Sequence, residues 1–222
     1  MNPVMLPPTL IERLRSSHWR ILVTGASGWL GQASLELLTQ SLGSTWRERV
    51  FAFGSSERNW TLRDGTEVRQ QPLAALPTLP RRPSLLLHFA YLTREKASTM
   101  PTENYIATNR ALSQLAAEAG ATVGVERVFV TSSGAVHAAL AEPDNPAPPL
   151  LYGKLKLEDE ALFEHFALSA PERRAFVARL FNLSGPYINK LDSYALASFI
   201  RQARQGRIEI RARHPVVRSY TS

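Results

Sequence analysis

Residues 20–31 read RILVTGASGWLG, and the way this stretch divides decides the fold. Arg20–Thr24 is a short apolar run that stops at a glycine, the pattern of a parallel strand buried on both faces. From Gly28 to about Ser41 the apolar residues Leu30, Ala33, Leu37 and Leu38 recur at helical spacing. Gly25, Gly28 and Gly31 stand where a side chain would obstruct. Gly25 allows the tight turn, Gly28 lets the backbone approach a pyrophosphate, and Gly31 lets the helix pack against the sheet. The helix start then offers unpaired N–H groups and a partial positive charge to phosphate oxygens. Strand, glycine turn and helix in this order predict a dinucleotide-binding turn.

The same alternation continues outward. Further strands are expected at Val50–Phe53, Glu67–Gln70, Ser84–Phe89, Arg127–Thr131, Ala175–Leu180 and Ile208–Arg211. Helices are expected from about Glu103 to Ala119, Leu150 to Phe166 and Ala195 to Gln205. Proline-rich loops, PLAALPTLPRRP (72–83) and EPDNPAPP (142–149), punctuate the series. Strands alternating with helices along a chain imply an α/β fold, a Rossmann-type doubly wound parallel sheet. The expected organisation is an N-terminal extension (1–19) with a short amphipathic helix from about Thr9 to Ser17, and a dinucleotide-binding domain (20–185). Residues 186–222 read as the start of a small C-terminal substrate lobe, truncated at an abrupt end.

Composition bounds the function. Hydrophobic residues make up 44% and charged residues 20%, the balance of a soluble globular chain. No apolar run approaches the roughly 18 residues of a membrane helix, and MNPVMLPPTLIERLR does not read as a signal peptide. The absence of cysteine excludes disulfides, thiolate catalysis and cysteine-held zinc. A cytoplasmic location fits. The formal charge of +7 comes mostly from arginines spread along the chain rather than from a basic run, so it suits an anionic small ligand better than nucleic acid.

Two constellations carry chemistry. After the second strand the chain reads VFAFGSSERN (50–59), with no acid closing the strand to hold the ribose 2′-hydroxyl of NAD. Ser55, Ser56 and Arg58 suit the extra phosphate of NADP instead, although Glu57 could turn inward; NADP is favoured and NAD stays open. Further on, YGKLK places Tyr152 and Lys156 four apart, on one face of a helix. A phenol with a pKa near 10 is too weak a base at neutral pH, and a neighbouring ammonium favours its phenolate. Such a tyrosine exchanges a proton with a substrate oxygen while hydride passes to or from the cofactor. Ser132 and Ser133 end the strand RVFVT (127–131), where Ser133 could orient that oxygen.

At these residues the chain resembles the extended short-chain dehydrogenase/reductase family, the NAD-dependent epimerase/dehydratase group, from about Arg20 to Tyr220. TGASGWLG is similar to the family's TGxxGxxG, with Ser27, Trp29 and Leu30 beside the cofactor. LLHFAY (86–91) resembles its fourth-strand segment, placing Phe89, Ala90 and Tyr91 there too. Asn109, in YIATNRALSQLA, matches an asparagine that the resemblance puts among the cofactor-side residues. SSGAVH aligns Ser133 with the catalytic hydroxyl, and RLFNLSGP (179–186) implies that Asn182 lies near substrate. RSYTS resembles a motif before the last part of the substrate lobe. The resemblance implies an epimerase or reductase acting on a nucleotide sugar or a similar hydroxyl or keto substrate, with Ser133, Tyr152 and Lys156 catalytic. It also suggests a homodimer through a helix pair that includes the Tyr152 helix. Gly134 and Ala135 stand where sugar dehydratases carry an acidic pair, which argues against dehydration, and His137 replaces a tyrosine. The alternative is a dinucleotide-binding module that senses redox state or supports a partner, or an inactive fragment.

The remaining candidates read as scaffold. His18, His88, His137, His165 and His214 show no metal-ligand spacing. Asp144, Glu158, Asp159 and Glu160 read as a loop acid and a solvated helical face.

Overall fold

The computed structural model describes residues 5–145, 147–189, 191, 194–210 and 212–221. The first elements are α1 (Pro8–Ser16), β1 (Arg20–Thr24), α2 (Trp29–Leu42), a short α3 (Trp46–Arg49), β2 (Val50–Gly54), β3 (Arg58–Thr61) and β4 (Glu67–Pro72). After them come β5 (Ser84–His88), α4 (Thr102–Val123), β6 (Val125–Ser133), α5 (Ala135–Ala141) and α6 (Pro148–Leu168). The last are β7 (Arg174–Leu180), β8 (Asn182–Leu183), α7 (Ala195–Arg204) and β9 (Tyr220–Thr221).

Seven strands form one sheet in the order β3-β4-β2-β1-β5-β6-β7. All pairs are parallel except β3 on β4, a hairpin at one edge. That hairpin was not legible as a strand, because Arg58–Thr61 exposes most of its residues and lacks the apolar alternation of a half-buried strand. The strand expected over Ile208–Arg211 does not form at 208–210, where every residue is exposed; Arg211 lies outside the described residues. A separate parallel pair, β8 with β9, joins the two ends of the expected substrate lobe.

Strand order reverses between β1 and β5, so the crevice at their carboxyl ends is the topological switch point where such sheets bind ligands. The β1 residues are buried throughout, as its apolar run requires. One core, with Leu86, Val128, Val130, Phe163 and Phe166, lies under α4 and α6. A second, with Ile21, Val23, Leu35 and Leu38, lies under α2 on the other face, and Leu14 of α1 packs onto it. Arg15 of α1 also donates to the Ser41 carbonyl at 2.6 Å, so the N-terminal extension is tied to the end of α2.

The β6–β7 half of the second face is built differently. Phe89, Phe129 and Phe176 form a ladder across neighbouring strands, edge-on at 6.0 Å and then stacked at 5.6 Å. Ala175 and Val177 pack into the α6 core, so alternation turns Phe176 to the opposite side, where it is 64% exposed. Among the described residues, no helix crosses this end of the sheet long and apolar enough to be a membrane span, nor does any other helix qualify.

Candidate active site at the carboxyl ends of the strands

The glycine turn has the geometry its sequence implies. Gly25 has φ +64°, and a Cβ there would sit 2.6 Å from the Phe89 backbone. A Cβ on Gly31 would overlap the Gly25 carbonyl oxygen, so both positions exclude any side chain. Gly28 caps α2 with an extended backbone and donates its N–H to Gly25 at 2.9 Å. Thr24 ties the neighbouring loop to this turn: its hydroxyl accepts the N–H groups of Phe89 and Ala90 and meets His88 Nδ1 at 2.9 Å. Burial, and then the charge of Lys156, push the His88 imidazole down to about 3, so it stays neutral and structural.

Beyond the turn opens a cleft of about 230 Å³. Leu30, Phe89, Ser133, Tyr152 and Lys156 line it together with Tyr194, bringing residues from five separate stretches of sequence to one place. Tyr152 starts the second turn of α6, and the Ser133 hydroxyl on the same cleft favours its phenolate. Ser133 also accepts the Ala135 N–H at 3.2 Å, which fixes its hydroxyl at the end of β6. Next to Tyr152, Gly153 brings α6 against α5; a Cβ there would overlap the Ala135 carbonyl oxygen.

The lysine differs from expectation. Lys156 is 3% exposed and donates from Nζ to Asp159 Oδ2 at 3.0 Å, with Nζ 3.3 Å from the centroid of the Tyr91 ring. Tyr91 in turn lies edge-on to Tyr152 at 6.0 Å. Burial lowers the Lys156 ammonium, while Asp159 raises it. Burial pushes the Tyr152 phenol well above its ordinary value, Tyr105, Tyr194 and Asp159 add to this, and the Ser133 hydroxyl opposes it. Burial is thus what sets the Tyr152 phenol above its ordinary value, and the carboxylate of Asp159 stands beside the ammonium expected to lower it.

The acids of α6 also depart from a solvated face. Glu158 pairs with Arg110 of α4 at 2.7 Å near the surface. Asp159 is 4% exposed and holds Lys156. Glu160 accepts the Ser132 hydroxyl and both arms of Arg179, at 2.9 and 2.7 Å, fastening the ends of β6 and β7 to the helix. Asp159 is the site residue that sequence reasoning missed; its place seven after Tyr152 and three after Lys156 was the available signal.

Asn109 is buried and accepts the Leu92 N–H at 2.7 Å, so it supports the loop after β5 instead of facing the cleft. Asn182 donates to the Ser219 carbonyl at 3.0 Å and holds the RSY segment. Trp29 is buried edge-on to Tyr194 at 5.2 Å. Ser55, Ser56 and Arg58 are exposed past the end of β2. Glu57, the residue that could have turned inward, pairs with Arg69 of the hairpin at 2.8 Å. His137 stacks on Phe181 at 5.7 Å. Among the described residues no group of three acids, histidines or cysteines could hold a metal.

The sequence profile of the NAD dependent epimerase/dehydratase family matches residues 21–218. No curated protein sequence gives a significant match. Among solved structures, MoeE5 in complex with UDP-glucose and NAD is 29% identical with a TM-score of 0.59, over 84% of this chain and 62% of that one. MoeE5 with UDP-glucuronic acid and NAD is 28% identical with a TM-score of 0.58, over 82% and 60%. UDP-N-acetylglucosamine 4-epimerase from Methanobrevibacter ruminantium M1, at 19% identity, a TM-score of 0.61 and 85% and 63% coverage, shares the fold. The chain thus spans about three fifths of the length of the structures it matches.

Proposed function

The chain belongs to the NAD-dependent epimerase/dehydratase family, and we propose that its cleft serves hydride transfer on a nucleotide sugar or a similar hydroxyl or keto substrate, as an epimerase or reductase. The observation that carries this reading is that Ser133, Tyr152 and Lys156 line one cleft together with Leu30, at the start of the helix that follows the glycine turn. The turn fits a dinucleotide, since Gly25 and Gly31 leave no room for side chains and α2 begins beside them. Bound there, the nicotinamide dinucleotide supplies the hydride donor or acceptor.

In this reading Ser133 orients the substrate oxygen, and Tyr152 gives that oxygen a proton or takes one from it. Lys156 keeps a positive charge beside the tyrosine and would hold the ribose of a bound cofactor. Ser55, Ser56 and Arg58 favour NADP over NAD, because no acid closes β2 and Arg69 engages Glu57. The MoeE5 complexes hold NAD, so this preference belongs to the present chain's own residues. Dehydration is disfavoured at Gly134: a Cβ there would sit 2.5 Å from the Phe181 ring, leaving no space for an acid. The face of α4 and α6 that carries the Arg110–Glu158 pair is the homodimer surface of this reading.

One observation favours a second reading, a dinucleotide-binding module without turnover. Burial, before any neighbouring charge, leaves the Tyr152 phenol above its ordinary value instead of below it.

Calorimetric titration with NADP(H) and NAD(H), on wild type and Tyr152→Phe, separates the two. The enzyme reading expects both proteins to bind NADP more tightly than NAD, within about threefold of each other. It also expects the variant to lose about 10²–10⁴-fold in turnover of a nucleotide sugar. Equal binding with no turnover in either protein would leave the module reading standing, and binding of neither cofactor would overturn both.

A further inference from the structure

Tyr152, Lys156 and Asp159 lie at i, i+4 and i+7 on α6, one stripe of a single helix. We propose that Asp159 is the positioning residue of this site: its carboxylate holds the Lys156 ammonium against the Tyr91 ring and thereby sets the proton affinity of the Lys156–Tyr152 couple. This rests on the redox reading of Tyr152 and Lys156 given above.

Both partners are cut off from water, at 3% and 4% exposure. A lone ammonium in such a place gives up its proton, whereas a carboxylate at 3.0 Å keeps it charged. The Tyr91 ring face adds a second anchor, 3.3 Å from Nζ, so the ammonium is held from two sides. The other charges around it are already engaged. On α6, Glu160 is taken by Arg179 and Glu158 by Arg110 of α4. His88 on β5 is neutral, and Tyr91 after β5 and Tyr105 on α4 are both pushed toward the neutral phenol by burial. Asp159 is therefore the carboxylate that governs the lysine. Its negative charge raises the proton affinity of Lys156 and of Tyr152 together, so removing it lowers both.

The chain has only four lysines, at 96, 154, 156 and 190, so protein labelled with ¹³C at lysine Cε gives four signals that can be followed through pH. A Lys156→Arg control identifies the one from Lys156. Wild type is expected to keep Lys156 protonated at pH 7. Asp159→Asn, which preserves shape and one acceptor, should lower the midpoint by a unit or more, a tenfold change in proton affinity. Asp159→Glu should return it to within about half a unit of wild type. In the active protein the basic limb of the pH–rate profile should move to lower pH in the same variant. An unmoved Lys156 midpoint in a folded Asp159→Asn protein, with only its melting temperature reduced, would mean a purely structural pair and overturn the proposal. So would a wild-type Lys156 already neutral at pH 7, a result that needs no variant to fold. The titration requires neither cofactor nor turnover, so a protein whose midpoint moves but which transfers no hydride refutes the redox reading while leaving Asp159's control of the lysine in place.

Discussion

The two faces of the sheet are finished to different degrees. Under α4 and α6 the core runs from Leu86 to Phe166, and Phe163 is fully buried. On the opposite face α2 and α1 cover β1 and β2, but the phenylalanine ladder that continues over β6 and β7 ends in a largely bare ring at Phe176. The residues of the proposed chemistry, Tyr152, Lys156 and Asp159, all belong to the helix on the closed face. The difference teaches that the proton machinery can be rigid where the rest of the cleft, walled by the segment after β7, is lightly supported.

The sharpest way to break this comparison is to cut one ring from each face. Phe163→Ala should cost about 3–5 kcal/mol in denaturant unfolding, the range for deleting a fully buried aromatic. A loss below about 1 kcal/mol would show that the closed face is no better packed than the open one.

A milder test uses acid. On the closed face the Arg179 guanidinium, and then the Ser132 hydroxyl, hold the Glu160 carboxyl below the usual range; on the other face Arg63 does the same for Glu36 at 2.9 Å. Both folded values lie below the unfolded one. Each contribution is therefore fully present above the ordinary glutamate value and is lost as pH falls through the depressed value. Glu160→Gln should flatten the loss of melting temperature between about pH 5 and pH 3. Because Glu160 fastens both strand ends to α6, that flattening should exceed the one seen for Glu36→Gln. A larger effect from Glu36 would place the stronger clamp on the open side.

The smallest effect is expected at Phe176→Ser, within about 0.5 kcal/mol of wild type, as for an exposed position. The same change should reduce self-association in sedimentation at high concentration, because it removes a bare aromatic from an edge strand. A Phe176→Ser protein destabilised as much as Phe163→Ala would show that the ring is buried in solution.

Much of this frame could be read from residues alone. Glycine spacing located the turn, and uninterrupted apolar runs located β1 and β5, because burial on both faces leaves that mark in sequence. The run Glu158-Asp159-Glu160 shows why the rest was hidden. Three adjacent acids read as one solvated patch, yet successive helical residues point about 100° apart. One therefore reaches α4, one turns in to Lys156, and one fastens β6 and β7. Which neighbour each meets depends on helix packing, and local spacing does not carry it. For the same reason Asn109 and Asn182 matched a pattern but found loop carbonyl and amide groups as partners.

The contact at Gly153 has a mechanical meaning. Where α6 meets α5, backbone rests on backbone, with no compressible side chain between them. The helix is seated on a hard shoulder one residue from the phenol, much as a tool is indexed in its holder. Soft side chains deeper under α6 can be exchanged and repacked without resetting the gap between Tyr152 and Ser133, so the proton-transfer distance is insulated from drift in the core that supports it.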